Sequence, residues 1–284
     1  MTKVLSHISY GIRLSLSRMR LIGILYVIQL AIAMTVGLQV YQVLEASIGD
    51  SLALDRIAIG FDFTVFQDLI KVHGGSISPL LGQLRWYLIS YLIFSVFIHA
   101  GLLHVVAADA QSWTGFWQGG AKYFRPFFFY ALIFMCEAII WSGLIWLPYF
   151  TRLFYMVEHW ANEPAIIWLL GGLAILYFFG LSILFLVSIN TRIYYMKGRS
   201  FWNALRGGFI LSFSRFGSYL LLMLLFALLI ASVYFVNFFF ELNIGIRSEF
   251  LIIAFIVLQQ LFVLTKLGLR IAVYSAFVQA HNAE

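Results

Sequence analysis

SFWNALRGGFILSFSR, from Ser200 to Arg215, leads through one phenylalanine into GSYLLLMLLFALLIASVYFVNFFF, from Gly217 to Phe240. The second stretch carries no charged residue over 24 positions. A helix needs about 20 apolar residues to cross a hydrocarbon layer about 30 Å thick, so this stretch reads as a transmembrane helix. The first stretch has another character. Trp202, Leu205 and Phe209 recur at helical spacing, opposed by Asn203 and Arg206. Such a helix lies in the headgroup plane with its apolar face down. An interfacial elbow followed by a span is the unit from which the rest of the chain is read.

The chain has 284 residues, 63% of them hydrophobic and only 11% charged. A soluble domain carries about 25% charged residues. Five further stretches meet the length test: Leu21 to Leu44, Leu84 to Ala107, Pro126 to Phe150, Ile166 to Ile189 and Phe250 to Tyr274. Their continuous apolar character argues for helices, since barrel strands alternate over short segments. The expected fold class is an all-α integral membrane protein, with six transmembrane helices arranged as three hairpins in a single polytopic domain.

The formal net charge is +6. With the N-terminus placed inside, Arg56, Lys71, Arg85, Arg152 and Arg247 fall outside, and the other 13 of the 18 Lys and Arg residues fall inside. That asymmetry is the positive-inside pattern; it puts both termini in the cytoplasm of a bacterial inner membrane and removes the case for nucleic acid. The basic start resembles a signal peptide, but the run from Leu21 to Leu44 exceeds a signal h-region of about 7–15 residues and reads as an uncleaved first span. The one cysteine, Cys136, is expected to be a buried thiol.

Gly11-Ile-Arg-Leu-Ser-Leu-Ser-Arg18 repeats the spacing of Gly208-Phe-Ile-Leu-Ser-Phe-Ser-Arg215, each just before an outgoing span. Ser112 to Gly119-Gly120 matches Ser200 to Gly207-Gly208, without the closing Leu-Ser-x-Ser-Arg. These echoes divide the chain into pseudo-repeats of about 1–108, 109–196 and 197–284. Glycine at the elbow permits a bend or a close helix contact, and the serines favour a bend by bonding back to preceding carbonyls. In the long first outer loop, Phe63, Phe66, Leu69 and Ile70 suggest a short amphipathic helix ended by Gly74-Gly75-Ser76.

Two groups of residues are candidates for function. Ionisable groups in hydrocarbon are costly, about 2.5–3.5 kcal/mol on insertion scales. Glu137 lies near the middle of the third span, with His99, Gln259 and Gln260 at similar depth, and the four together form a candidate midplane polar site. At the inner face, Arg18, Arg215, His104, Arg192 and Arg270 are candidates for an anion or lipid headgroup; snorkelling to the interface is the alternative role. No phosphate loop, nucleophile elbow, metal-ligand spacing or paired-cysteine motif occurs, so neither an enzyme nor a cofactor is expected.

The phrase KGRSFWNALRGGF, Lys197 to Phe209, resembles the six-helix membrane domain found beside some glycerophosphodiester phosphodiesterases and in related bacterial membrane proteins of uncharacterised function. The resemblance implies a membrane frame over nearly the whole chain. It carries over no active site, because the phosphodiesterase catalytic domain is absent. The expected function is that of a non-enzymatic accessory or scaffold protein whose partners are membrane lipid or another membrane protein. The alternative is a transporter or permease working through Glu137.

Overall fold

The structure, a computed structural model, describes residues 2–48, 63–108, 113–159, 163–243 and 249–283. Eight helices account for nearly all of them: α1 (Thr2–Ser17), α2 (Met19–Ile48), α3 (Phe63–Ala107), α4 (Trp113–His159), α5 (Glu163–Met196), α6 (Phe201–Ser214), α7 (Phe216–Asn243) and α8 (Glu249–Asn282). Six contain stretches long and apolar enough to cross a membrane: Met19–Val43, Gly82–Ala107, Trp113–Arg152, Ala165–Met196, Phe216–Leu242 and Phe250–Asn282. The protein is an all-α, multi-pass membrane protein. The apolar stretch of α4 has 40 residues. At 1.5 Å per residue it would reach about 60 Å, twice the hydrocarbon thickness, so part of α4 must lie beyond the hydrocarbon.

The helices divide into two compact units. One is Arg20–Ser95; the other is Met1–Met19 with Val96–Glu284. In the first, Gln39 of α2 donates a hydrogen bond from Nε2 to the Tyr87 hydroxyl of α3, at 2.8 Å. Its α3 departs from expectation. The helix runs on through Gly74-Gly75-Ser76 and Pro79 without interruption. A glycine in a helix costs only about 1 kcal/mol, which the apolar run on either side offsets.

In the second unit, the elbow segments set the packing. A Cβ on Gly11 of α1 would fall on the Ala272 carbonyl oxygen of α8. One on Gly119 would strike His104, and one on Gly208 of α6 would strike Thr191 of α5. Glycine is used at these points for close helix approach. The chain breaks elsewhere, at Arg18 between α1 and α2 and at Arg215 between α6 and α7. At both breaks the second serine of the phrase bonds back three residues, Ser17 to the Leu14 carbonyl and Ser214 to the Leu211 carbonyl. Such bonds compete with the helix ladder. In α4, where the serine phrase is missing, the helix continues unbroken through Gly119-Gly120. Of the two roles expected of the glycines, a bend or a close helix contact, the structure shows contact, and the Ser-x-Ser-Arg phrase, expected to favour a bend, marks the break.

The core of this unit lies where α1 and α6 pack. Leu102 and Leu103 of α3, Phe116, Phe127 and Tyr130 of α4, Leu186 and Ile189 of α5, and Ile271 and Phe277 of α8 are fully buried. Towards the other ends of the spans, Ile140, Leu147, Trp168, Ile175, Leu228, Phe235 and Ile253 are exposed. Exposed apolar side chains on spans are the surface that lipid covers.

Candidate functional site

The elbow helix α6 is held by α5 and α4. Gly207 and Gly208 let it approach Tyr194 and Thr191 of α5. Asn190 donates from Nδ2 to the Ser212 hydroxyl at 2.9 Å, and that hydroxyl donates to the Gly208 carbonyl. At its start, the Tyr130 hydroxyl donates to the Phe201 carbonyl at 2.8 Å, and the two rings stack at 4.3 Å. With one face committed to these contacts, α6 turns Trp202, Leu205, Arg206 and Phe209 towards a groove of about 390 Å³. Phe134 and Glu137 of α4 and Ile183, Leu184 and Val187 of α5 line the rest.

The groove is apolar apart from two ionisable side chains, Glu137 and Arg206. Glu137 is exposed, and among the described residues it makes no hydrogen bond or ion pair. Arg206 is also exposed. The carboxylate and the guanidinium thus share a greasy cavity without pairing. A ligand suited to these walls has an apolar body, a donor or cation for Glu137 and an acid for Arg206.

The other members of the midplane set have other partners. His99 hydrogen-bonds through its ring to Nη2 of Arg270 and meets the Tyr274 ring edge-on at 5.9 Å. Gln259 donates from Nε2 to the Glu241 carboxylate at 2.8 Å, which also accepts from Asn237 Nδ2 at 2.8 Å. Gln260 is half-buried on α8.

The residues expected to meet an anion or headgroup, Arg18, Arg215, His104, Arg192 and Arg270, are engaged separately as well. Arg18 is buried and donates from Nη1 to the Val105 carbonyl at 2.9 Å. The His104 ring packs 5.5 Å from Tyr123, and the Arg192 guanidinium lies 5.7 Å over Phe127. Arg270 holds His99, and Arg215 is exposed at its helix break. One residue from each group therefore joins the other in the His99–Arg270 pair.

Three features escaped the sequence reading. Helical spacing sets Arg206 on the polar face opposing Trp202, yet it lines the same groove. Asn237 and Glu241 form a polar pair with Gln259, and their i, i+4 spacing inside an apolar run was the available signal. Cys136 is exposed on α4, not buried. An apolar neighbourhood in sequence does not tell a lipid-facing position from a core-facing one. Comparisons with protein-family models, with curated proteins and with solved structures find no match for this chain.

Proposed function

We propose that this protein is a non-catalytic accessory component of a bacterial cytoplasmic membrane, with both termini on the cytoplasmic side, that holds a membrane lipid in the groove between α4, α5 and α6. The observation that carries this reading is the pairing of apolar walls with an acidic and a basic side chain, Glu137 and Arg206, that do not pair with each other. Acyl chains suit the walls, and a headgroup bearing both an amine and a phosphate suits the charges. The likeness of Lys197–Phe209 to the membrane domain beside glycerophosphodiester phosphodiesterases fits the same reading.

Two serine contacts support a repeated frame for this role. Ser15 donates to the Gly268 carbonyl of α8 at 2.7 Å, and Ser212 accepts from Asn190 of α5 at 2.9 Å. Gly268 and Asn190 stand two residues before Arg270 and Arg192 respectively. This likeness in position favours the repeated frame, although one serine donates to a backbone carbonyl and the other accepts from a side chain.

The test is intact-particle mass spectrometry after gentle extraction into native nanodiscs. The wild type is expected to retain a discrete lipid, and the Glu137→Gln/Arg206→Gln double variant to lose it. A bare wild-type particle, or equal retention by the variant, rejects the proposal. The second reading, a transporter or permease, draws on the place of Glu137 in the same groove. It predicts a pH-dependent flux in vesicles that Glu137→Gln abolishes; an unchanged flux removes it.

A further inference from the structure

A second cavity lies outside the groove, where α5 ends. The chain leaves α5 through Lys197, Gly198 and Arg199. Gly198 has φ +83°, and its amide donates to the Tyr195 carbonyl at 3.0 Å. A Cβ there would meet nothing within 4 Å, so the left-handed backbone alone selects glycine. This turn carries Lys197 and Arg199, both exposed, to the rim of a cleft of about 550 Å³ whose remaining lining comes from Tyr194 and His281. Among the described residues, none that lines the cleft is acidic.

His281 reaches the cleft from the last turn of α8 and is only 6% exposed. Its ring meets Tyr194 edge-on at 4.7 Å. Its Nδ1 is closed off from solvent and has no hydrogen-bond partner. A buried N–H without an acceptor is the costlier arrangement, so the lone pair belongs on Nδ1 and the proton on Nε2. That leaves Nε2–H as the donor able to face the cleft. Directly after Arg199, Ser200 stands at the N-cap of α6, and its side chain makes no cap hydrogen bond. The amide donors at the start of α6 are therefore left without that acceptor.

We infer that the cleft formed by Tyr194, Lys197, Gly198, Arg199 and His281 is a binding site for a phosphomonoester or free phosphate, separate from the groove around Glu137 and Arg206. Two cations and an imidazole N–H donor supply what a phosphate dianion requires. The anion is carried either on a lipid headgroup or free in solution, and the chemistry of capture is shared.

The test uses the full-length protein in nanodiscs made only of phosphatidylcholine, whose headgroup has no phosphomonoester. Calorimetric titration is carried out with inorganic phosphate and, separately, with a short-chain phosphatidic acid. Wild type is expected to bind at least one probe. Lys197→Gln/Arg199→Gln changes only exposed side chains, and it is expected to weaken that binding at least tenfold at an unchanged melting midpoint. His281→Phe keeps a ring against Tyr194 and is expected to weaken binding without touching either cation. Binding of phosphatidic acid alone assigns the site to a lipid headgroup; equal binding of both probes assigns it to free phosphate. If wild type binds neither probe, or the double variant binds as tightly as wild type, the inference is overturned.

Discussion

Gly208→Ala is expected to loosen the protein by an amount that can be worked from its surroundings. The added Cβ would lie 2.6 Å from the Thr191 amide nitrogen and 2.7 Å from Thr191 Cα. Ordinary contact begins near 3.4 Å, so α5 and α6 must part by about 0.7–1 Å. A gap of that size forfeits a quarter to a half of each dispersion contact along the interface, at about 0.1–0.2 kcal/mol per contact when intact. It also stretches the buried Asn190–Ser212 hydrogen bond, worth about 1 kcal/mol. Overpacking of this kind costs about 1–3 kcal/mol. Alanine recovers up to about 1 kcal/mol of helix propensity, so the net loss is about 1–2 kcal/mol. Gly217→Ala is the control, since nothing lies within 4 Å of its added Cβ; propensity should leave it neutral or slightly more stable. Melting of both variants in detergent, followed by tryptophan fluorescence, should lower the midpoint for Gly208→Ala by roughly 3–6 °C and leave Gly217→Ala unchanged or higher. If the two variants melt together with the wild type, the close approach of α5 and α6 is wrong.

Ser212→Ala should cost about 1–3 kcal/mol by leaving the buried Asn190 amide without its acceptor, while Asn190→Ala combined with it should cost less than the sum; strict additivity in the melting shifts would deny the bond. Arg18→Ala should destabilise by about 2 kcal/mol through its lost bond to Val105 and the void it leaves, whereas Arg215→Ala, the sequence counterpart, should stay within about 0.5 kcal/mol; equal shifts would contradict their different burial. A nitroxide on Cys136, the one cysteine in the chain, should collide freely with dissolved oxygen and rarely with a water-soluble nickel chelate. Low accessibility to both quenchers would return the residue to the protein interior.

The spans were legible because hydrocarbon imposes a length that few other structures need. The second span was expected at Leu84 to Ala107 and is found at Gly82–Ala107. Facing was not legible. Lipid and protein core both accept leucine and phenylalanine, so the periodicity that exposes a soluble helix's inner face is flattened in α5 and α7. Glu137 could be placed in depth but not in azimuth, and azimuth is what set it in a groove with Arg206. The polar residues that did find each other, His99 with Arg270 and Gln259 with Glu241, lie on different helices and meet only through tertiary packing. The elbow phrase was half legible. Its serines carried a local, three-residue hydrogen bond that sequence can encode, while its glycines served contacts with other helices, as near as Thr191 for Gly208 and as far as Ala272 for Gly11.

One of those contacts orders events in time. The partner of α1 is α8, and the hydrogen bond from Ser15 to Gly268 spans 253 residues. Ribosomes add about 5–20 residues per second, so α1 waits roughly 13–50 s after synthesis before its partner exists. Through that interval Gly11 and Ser15 present a small-residue face with nothing upon it, open to lipid, to an insertion factor or to a second nascent copy. Docking of α8 ends that exposure, so the packing of the first helix is completed by a helix made late.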